Sequence, residues 1–198
     1  METGSNFLAE HKGKIVTVFG GFSEVSSDQS ADISRLGLFL SSQNSSASFL
    51  IGGVVGYLKS FIKDIPERSS RICLIGSTQG KEKGFHSEYE NELPSLFFDG
   101  YFGKKKMLFD ARVASFLILP DGGTSLGALT ELIEAIDQVK SFDLLVDQTP
   151  RPIVFYGKHW KAFLESIIYP RINGVTKSCI HFVDEGDYKS AAKMLKLM

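Results

Sequence analysis

The densest group of residues able to bind a phosphate lies in segment 120–131. Gly122 and Gly123 lack Cβ atoms, so the backbone N–H groups of this turn can approach an anion closely. The turn leads into segment 127–142, whose apolar spacing predicts a helix, and a helix N-terminus presents unpaired N–H groups at the positive end of its dipole. A plain strand-to-helix turn would also use glycines, but the added hydroxyls favour a phosphate site. Its remaining residues are Thr124, Ser125, Gly127 and Thr130.

Two kinds of charged side chain near this turn could contact a bound nucleotide. Glu131 lies one helical turn beyond Gly127, where its carboxylate could accept ribose hydroxyl protons or orient a water. It could equally be a first-turn acid that only stabilises the helix dipole, and the spacing leaves both interpretations open. The run Lys104-Lys105-Lys106 begins a helix predicted over 104–113, which leads to the same turn. Charge runs are usually solvated, but at least one lysine could reach a bound anion.

The fold must position these residues. Along the chain, short apolar runs alternate with longer amphipathic stretches, and this alternation is typical of βαβ units. It predicts one α/β domain over 1–198, of three-layer Rossmann-like form, with a flexible 1–13 and a long loop over 79–103. About six parallel strands form the sheet, and helices cover both faces. The predicted strands are 15–19, 48–51, 72–75, 115–119, 152–156 and 180–183. The predicted helices are 28–43, 56–65, 104–113, 127–142, 159–172 and 188–197.

Small residues follow several of the predicted strands. Parallel α/β sheets bind ligands beyond the carboxyl ends of their strands, so these residues are expected to meet at one edge with the Gly-rich turn. The sequence therefore adds nucleotide-binding candidates after the first strand and the second: Gly20, Gly21, Ser23, Gly52 and Gly53.

Composition and missing motifs exclude several other classes of protein. A net charge of -1 disfavours a nucleic-acid binder, and no apolar segment has the length of a membrane span, so we expect a cytoplasmic protein. Cys73 and Cys179 are expected to be buried thiols. The acids around Glu90 lack metal-ligand spacing, so no metal is expected. Neither the G-x-G-x-x-G fingerprint nor the G-x-x-x-x-G-K-[ST] loop occurs, which disfavours nicotinamide dehydrogenases and ATP-driven motors.

With these motifs the chain resembles the Lonely Guy (LOG) phosphoribohydrolases, a lysine decarboxylase-like family within the Rossmann-like SLOG proteins. The likeness covers nearly the whole chain. The family's first Gly/Ser turn is similar to segment 18–23, its second Gly-rich turn to 52–58, and its P-G-G-x-G-T-x-x-E motif to 120–131. The family's Arg-Lys pair, about fifteen residues before that motif, falls on Lys105 and Lys106.

The resemblance implies cleavage of the N-glycosidic bond of a nucleoside 5'-monophosphate by a homodimer that uses no cofactor and no metal. It makes Gly122, Gly123 and Gly127 the phosphate cradle, Glu131 the catalytic carboxylate at the ribose, and Lys105 a cation near the leaving base. This chain departs from the family because it has lysine for arginine at 105 and a longer turn. These departures keep an alternative open, a non-catalytic nucleotide or cofactor binder that acts as a sensor or carrier.

Overall fold

The computed structural model describes residues 7, 9–11, 15–82, 89, 91–108, 113–120, 151–172 and 174–198. Its strands are β1 (Ile15–Phe19), β2 (Ser48–Ile51), β3 (Ile72–Ser77), β4 (Ser95–Phe98), β5 (Val113–Ile118), β6 (Ile153–Tyr156) and β7 (Ile180–Val183). Its helices are α1 (Ser27–Gln43), α2 (Gly56–Ile62), α3 (Arg68–Arg71), α4 (Thr78–Glu82), α5 (Tyr101–Leu108), α6 (His159–Phe163), α7 (Gly174–Ser178) and α8 (Tyr188–Met194). A π-helical turn, Leu164–Ile168, and a 3-10 turn, Tyr169–Arg171, continue α6.

All seven strands form one parallel sheet in the order β4-β3-β2-β1-β5-β6-β7. The strands are short continuous apolar runs because both faces of such a sheet are covered. All five residues of β1 are buried, and so are all four of β2 and of β6. The predicted α/β Rossmann-like fold with a parallel sheet is confirmed.

Helices lie on both faces, which makes three layers. Side chains from α1, α2 and α8 pack against one face of the sheet, where Phe61 and Leu36 are fully buried. Leu108 of α5 and Trp160 of α6 pack against the other face. Successive residues of β1 point to opposite faces, so Val18 belongs to the first cluster and Phe19 to the second.

Two local expectations were wrong. Segment 79–103 is not one long loop, because α4 occupies its start and β4 lies near its end. β4 pairs only with β3 at the sheet edge, so half-buried residues suffice and the strand lacks a fully apolar run. The sheet therefore has seven strands instead of about six. The helix predicted over 104–113 is α5, which begins at Tyr101 and ends at Leu108.

Candidate functional site

The strand order creates a crevice between β1 and β5. From β1 the chain adds β2, β3 and β4 on one side, then returns to place β5 on the other side of β1. The strand that follows β1 lies on one side of it and the next described strand after β5 lies on the opposite side, and open α/β sheets bind their ligands at such a switch point. Leu119 N–H donates to the carbonyl of Phe19 across this point (2.8 Å), and buried Pro120 follows. The predicted phosphate turn therefore begins at the crevice.

The turn after β1 packs tightly on the start of α2. A Cβ atom on Gly20 would lie 3.2 Å from side-chain atoms of Leu58 and Tyr57. Gly56, with φ of 52°, comes so close that a Cβ there would lie 2.4 Å from the carbonyl oxygen of Gly21. Gly20 and Gly21 are both buried in this contact. Glycine at positions 20 and 56 thus has a packing cause, in addition to the ligand role predicted for Gly20.

Lys104 of α5 is a cation beside the carboxyl end of β2, the strand next to β1, whereas the roles predicted for the lysine run fell on Lys105 and Lys106. Its ammonium donates a hydrogen bond to the carbonyl of Gly52, the residue after β2. Lys104 is half-buried, and burial lowers the pKa of its ammonium. A Cβ on Gly52 would lie 3.3 Å from Cε of Lys104, so glycine leaves room for the lysine chain. The structure thus holds a partly desolvated positive charge at the carboxyl end of β2.

Helical spacing narrows the lysine run to two candidates. Lys104 and Leu108 are four residues apart on α5 and so share a face. Leu108 is buried, its carbonyl accepts a hydrogen bond from Thr17 of β1 (2.8 Å), and it also lies over Gly52. Lys105 lies three residues before Leu108 and shares the same face by spacing, so the pattern leaves Lys104 and Lys105 as candidates and does not choose between them.

The structure describes some of the other predicted site residues and leaves others outside the described part of the chain. Gly20, Gly21, Gly52 and Gly53 do lie at the carboxyl ends of β1 and β2, and Ser23 is exposed in the turn that follows β1. The backbones of Lys105 and Lys106 belong to α5, but their side chains lie outside the described part of the chain. The predictions for Glu131 and for the turn and its helix also fall outside the described residues, namely Gly122, Gly123, Thr124, Ser125, Gly127 and Thr130.

A small acidic pocket adjoins the crevice on the face covered by α1. It has a volume of about 140 Å³, and Asp28 and Asp32 of α1, Tyr57, Pro120 and Glu185 line it. Asp28 and Glu185 are exposed. Carboxylates only accept hydrogen bonds, so this pocket suits groups that donate them, such as the amino and ring N–H groups of a nucleobase.

Two tyrosines hold the carboxylate of Asp32. The hydroxyl of Tyr156 donates to Oδ2 (2.7 Å), and that of Tyr188 donates to Oδ1 (2.6 Å). Burial and the neighbouring carboxylate raise the pKa of Tyr156, and the same causes raise the pKa of Tyr188 to about 12. Both phenols therefore stay protonated at neutral pH and fix the orientation of Asp32 at the pocket wall.

Comparisons with known proteins give the fold and no family. No family model and no curated protein matches the chain. A solved structure of the molybdenum cofactor carrier protein MCP from Chlamydomonas reinhardtii is similar, with a TM-score of 0.60. The match covers 93% of this chain and 99% of that one at 12% sequence identity, so it shows a shared Rossmann-like fold. Membership of the LOG family stays a prediction.

The described part of the chain offers neither a cluster of metal ligands nor a membrane-spanning helix. No group of three His, Cys, Asp or Glu side chains in that part of the chain could hold a metal ion. Cys73 and Cys179 are buried free thiols, as expected, and burial raises the pKa of Cys73 to about 12. No helix in the described ranges is long and apolar enough to cross a membrane.

Proposed function

We propose that this protein binds a phosphate-bearing nucleotide or cofactor in the β1–β5 crevice and holds it intact, as a carrier or sensor. The observation that carries the proposal is the half-buried ammonium of Lys104 over Gly52, at the carboxyl end of β2. A partly desolvated cation interacts more strongly with an anion than a solvated one does. An anionic ligand would offset the cost of burying this charge.

The flanking pocket supports a ligand with two chemically different ends. Lys104 comes from α5, on one face of the sheet, whereas Asp28 and Asp32 come from α1 on the other face. Both groups lie beyond the carboxyl ends of the strands. A nucleotide has an anionic phosphate for the lysine and N–H groups on its base for the carboxylates. The predicted turn at Gly122 and Gly123 would add backbone donors for the phosphate.

Two reasons favour a protein that holds its ligand intact over one that hydrolyses it. The structurally similar protein is described as a carrier of the molybdenum cofactor, so the fold is compatible with holding a ligand without converting it. Lys105 also occupies the position at which the resemblance implies arginine, and lysine lacks the planar guanidinium group that binds a phosphate or carboxylate through two hydrogen bonds. The phosphoribohydrolase activity predicted from Glu131 remains the competing hypothesis, as does the homodimer that the resemblance implies.

Calorimetry with AMP, GMP, CMP, UMP, N6-modified AMP and molybdenum cofactor tests the proposal. We expect saturable binding of at least one ligand, which chromatography then recovers unchanged. Lys104→Met should weaken that binding about tenfold, the effect of losing one charged hydrogen bond. It should not unfold the protein, because it replaces a half-buried charge with an apolar chain of similar length.

The matched control is Lys63→Met, which removes an exposed lysine just after α2 and should leave affinity unchanged. If both substitutions weakened ligand binding equally, the cause would be the net charge of the protein, and the proposed role of Lys104 would be wrong. Release of free base above the level of a Glu131→Ala variant would replace the carrier hypothesis with the hydrolase. No saturable binding of any of these ligands would overturn both.

A further inference from the structure

A second pocket, of about 330 Å³, lies at the opposite edge of the sheet from the crevice. Pro152 directly precedes β6 and Cys179 directly precedes β7, so the pocket is at the amino ends of these strands. These two residues and Met194 of α8 form the apolar part of its lining. None of the candidate nucleotide-binding residues described above belongs to it.

The polar part of the lining is cationic. It contains Ser178 of α7, His181 of β7, Lys193 at the end of α8 and Lys196 just beyond that helix, and no carboxylate is among the described residues of this lining. The ring of His181 is half-buried, and burial and then the positive charge of Lys196 lower its pKa. Two exposed ammonium groups and an imidazole that is uncharged at neutral pH thus border one concavity, and a bound anion could accept hydrogen bonds from all three.

Lys196 occupies an unusual backbone position for a lysine. Its N–H donates to the carbonyl of Lys193 (3.1 Å), and the N–H of Leu197 donates to Ala192 (3.0 Å). This pair of bonds is the Schellman motif at the end of α8, with Lys196 in the left-handed conformation, φ of 60°. Glycine is the favoured residue there because it has no Cβ.

We propose that the pocket formed by Pro152, Cys179, His181, Lys193, Met194 and Lys196 binds a small organic phosphomonoester. A phosphomonoester dianion has three terminal oxygens that accept hydrogen bonds, and the two ammonium groups and the imidazole N–H can donate to them. The apolar residues contact the organic group that the phosphate carries, as apolar linings do in small-molecule sites. This site is separate from the β1–β5 crevice and does not depend on the function proposed there.

The experiment follows the imidazole signals of His181 by NMR while phenyl phosphate is added, with the signals assigned by their loss in His181→Gln. We expect a saturable shift, with weaker binding of inorganic phosphate, which lacks the apolar group, and of benzoate, which has one charge. Lys196→Gly should weaken phenyl phosphate binding about tenfold, because one charged hydrogen bond is lost. Its stability to urea should be unchanged or increased, since glycine suits the left-handed conformation.

Glu67→Gly is the matched control. Glu67 is exposed, also has a left-handed backbone (φ of 53°), and precedes α3 away from the pocket, so this variant should bind phenyl phosphate normally. Lys104→Met should also bind normally, which separates this site from the crevice. A shift that does not saturate, equal affinity in Lys196→Gly, loss of the shift in Lys104→Met, or benzoate binding as tight as phenyl phosphate would each overturn the proposal.

Discussion

The hydroxyl of Tyr156 donates a 2.7 Å hydrogen bond to Asp32, which is 124 residues earlier in the sequence. Tyr156 is the last residue of β6, and Asp32 lies in the second turn of α1. The same hydroxyl accepts a hydrogen bond of 2.7 Å from the backbone N–H of Gly186, after β7. One buried phenol therefore ties a helix on the sheet face to the carboxyl ends of β6 and β7. This link also orients a wall of the acidic pocket.

Removal of this hydroxyl should destabilise the protein. Tyr156→Phe leaves the N–H of Gly186 without its acceptor and takes one of two tyrosine donors from Asp32, which should cost about 2 kcal/mol. Urea unfolding followed by circular dichroism measures the change. The control, Tyr169→Phe, removes a hydroxyl from a half-buried tyrosine that packs on Phe182. If both variants lost the same free energy of unfolding, the hydrogen bonds of Tyr156 would contribute no more to stability than the hydroxyl of Tyr169.

The central strands were predictable from the sequence because their physical cause is local. A strand buried on both faces must be a continuous apolar run, and the predicted bounds of β1 and β2 agree with the structure. β4 gave no such run, because an edge strand has fewer contacts to satisfy. Its Ser95 and Phe97 are only half-buried, and Pro94 directly before it suggested a loop.

The candidate site was less predictable because it depends on contacts between distant segments. The pairing of Lys104 with Gly52 spans 52 residues, and the run of three lysines does not show which ammonium makes it. The link between Tyr156 and Asp32 has no local pattern at all. Sequence motifs located the edge of the sheet at which a ligand is expected, but not the side chains that the fold brings to it.

High pH should weaken the tyrosine cluster at Asp32. Burial, then the hydrogen bond and negative charge of Asp32, raise the pKa of Tyr188 from 10.0 to about 12, although Arg35 opposes them. A raised pKa means that the folded protein keeps the proton longer than the unfolded chain. The contribution of Tyr188 to stability is therefore complete below pH 10.0 and is lost as the pH rises toward about 12.

Urea unfolding at a series of pH values between neutral and alkaline measures this dependence. Wild-type stability should fall above the ordinary pKa of tyrosine, and Tyr188→Phe should show a shallower fall, since it has one fewer group to ionise. The tyrosinate absorbance of the folded protein gives a second readout, in which Tyr188→Phe removes a late-titrating component. Parallel stability curves for the two proteins would contradict the assigned cause.

The packing of α1 against α2 depends on Gly37. A Cβ atom on Gly37 of α1 would lie 2.0 Å from the carbonyl oxygen of Phe61 in α2, a backbone atom that cannot rotate away. Alanine favours a helix over glycine by about 1 kcal/mol, but this gain is smaller than the cost of forcing two packed helices apart. We therefore expect Gly37→Ala to lower the free energy of unfolding by about 2 kcal/mol.

Gly174→Ala is the control, because a Cβ at Gly174, the first residue of α7, would meet no described atom within 4 Å. It should leave stability unchanged or slightly increased. Since α2 begins against the turn at Gly21, Gly37→Ala should also shift the backbone NMR signals of residues 20–23, whereas Gly174→Ala should not. A Gly37→Ala protein as stable as wild type would show that the two helices can separate without cost.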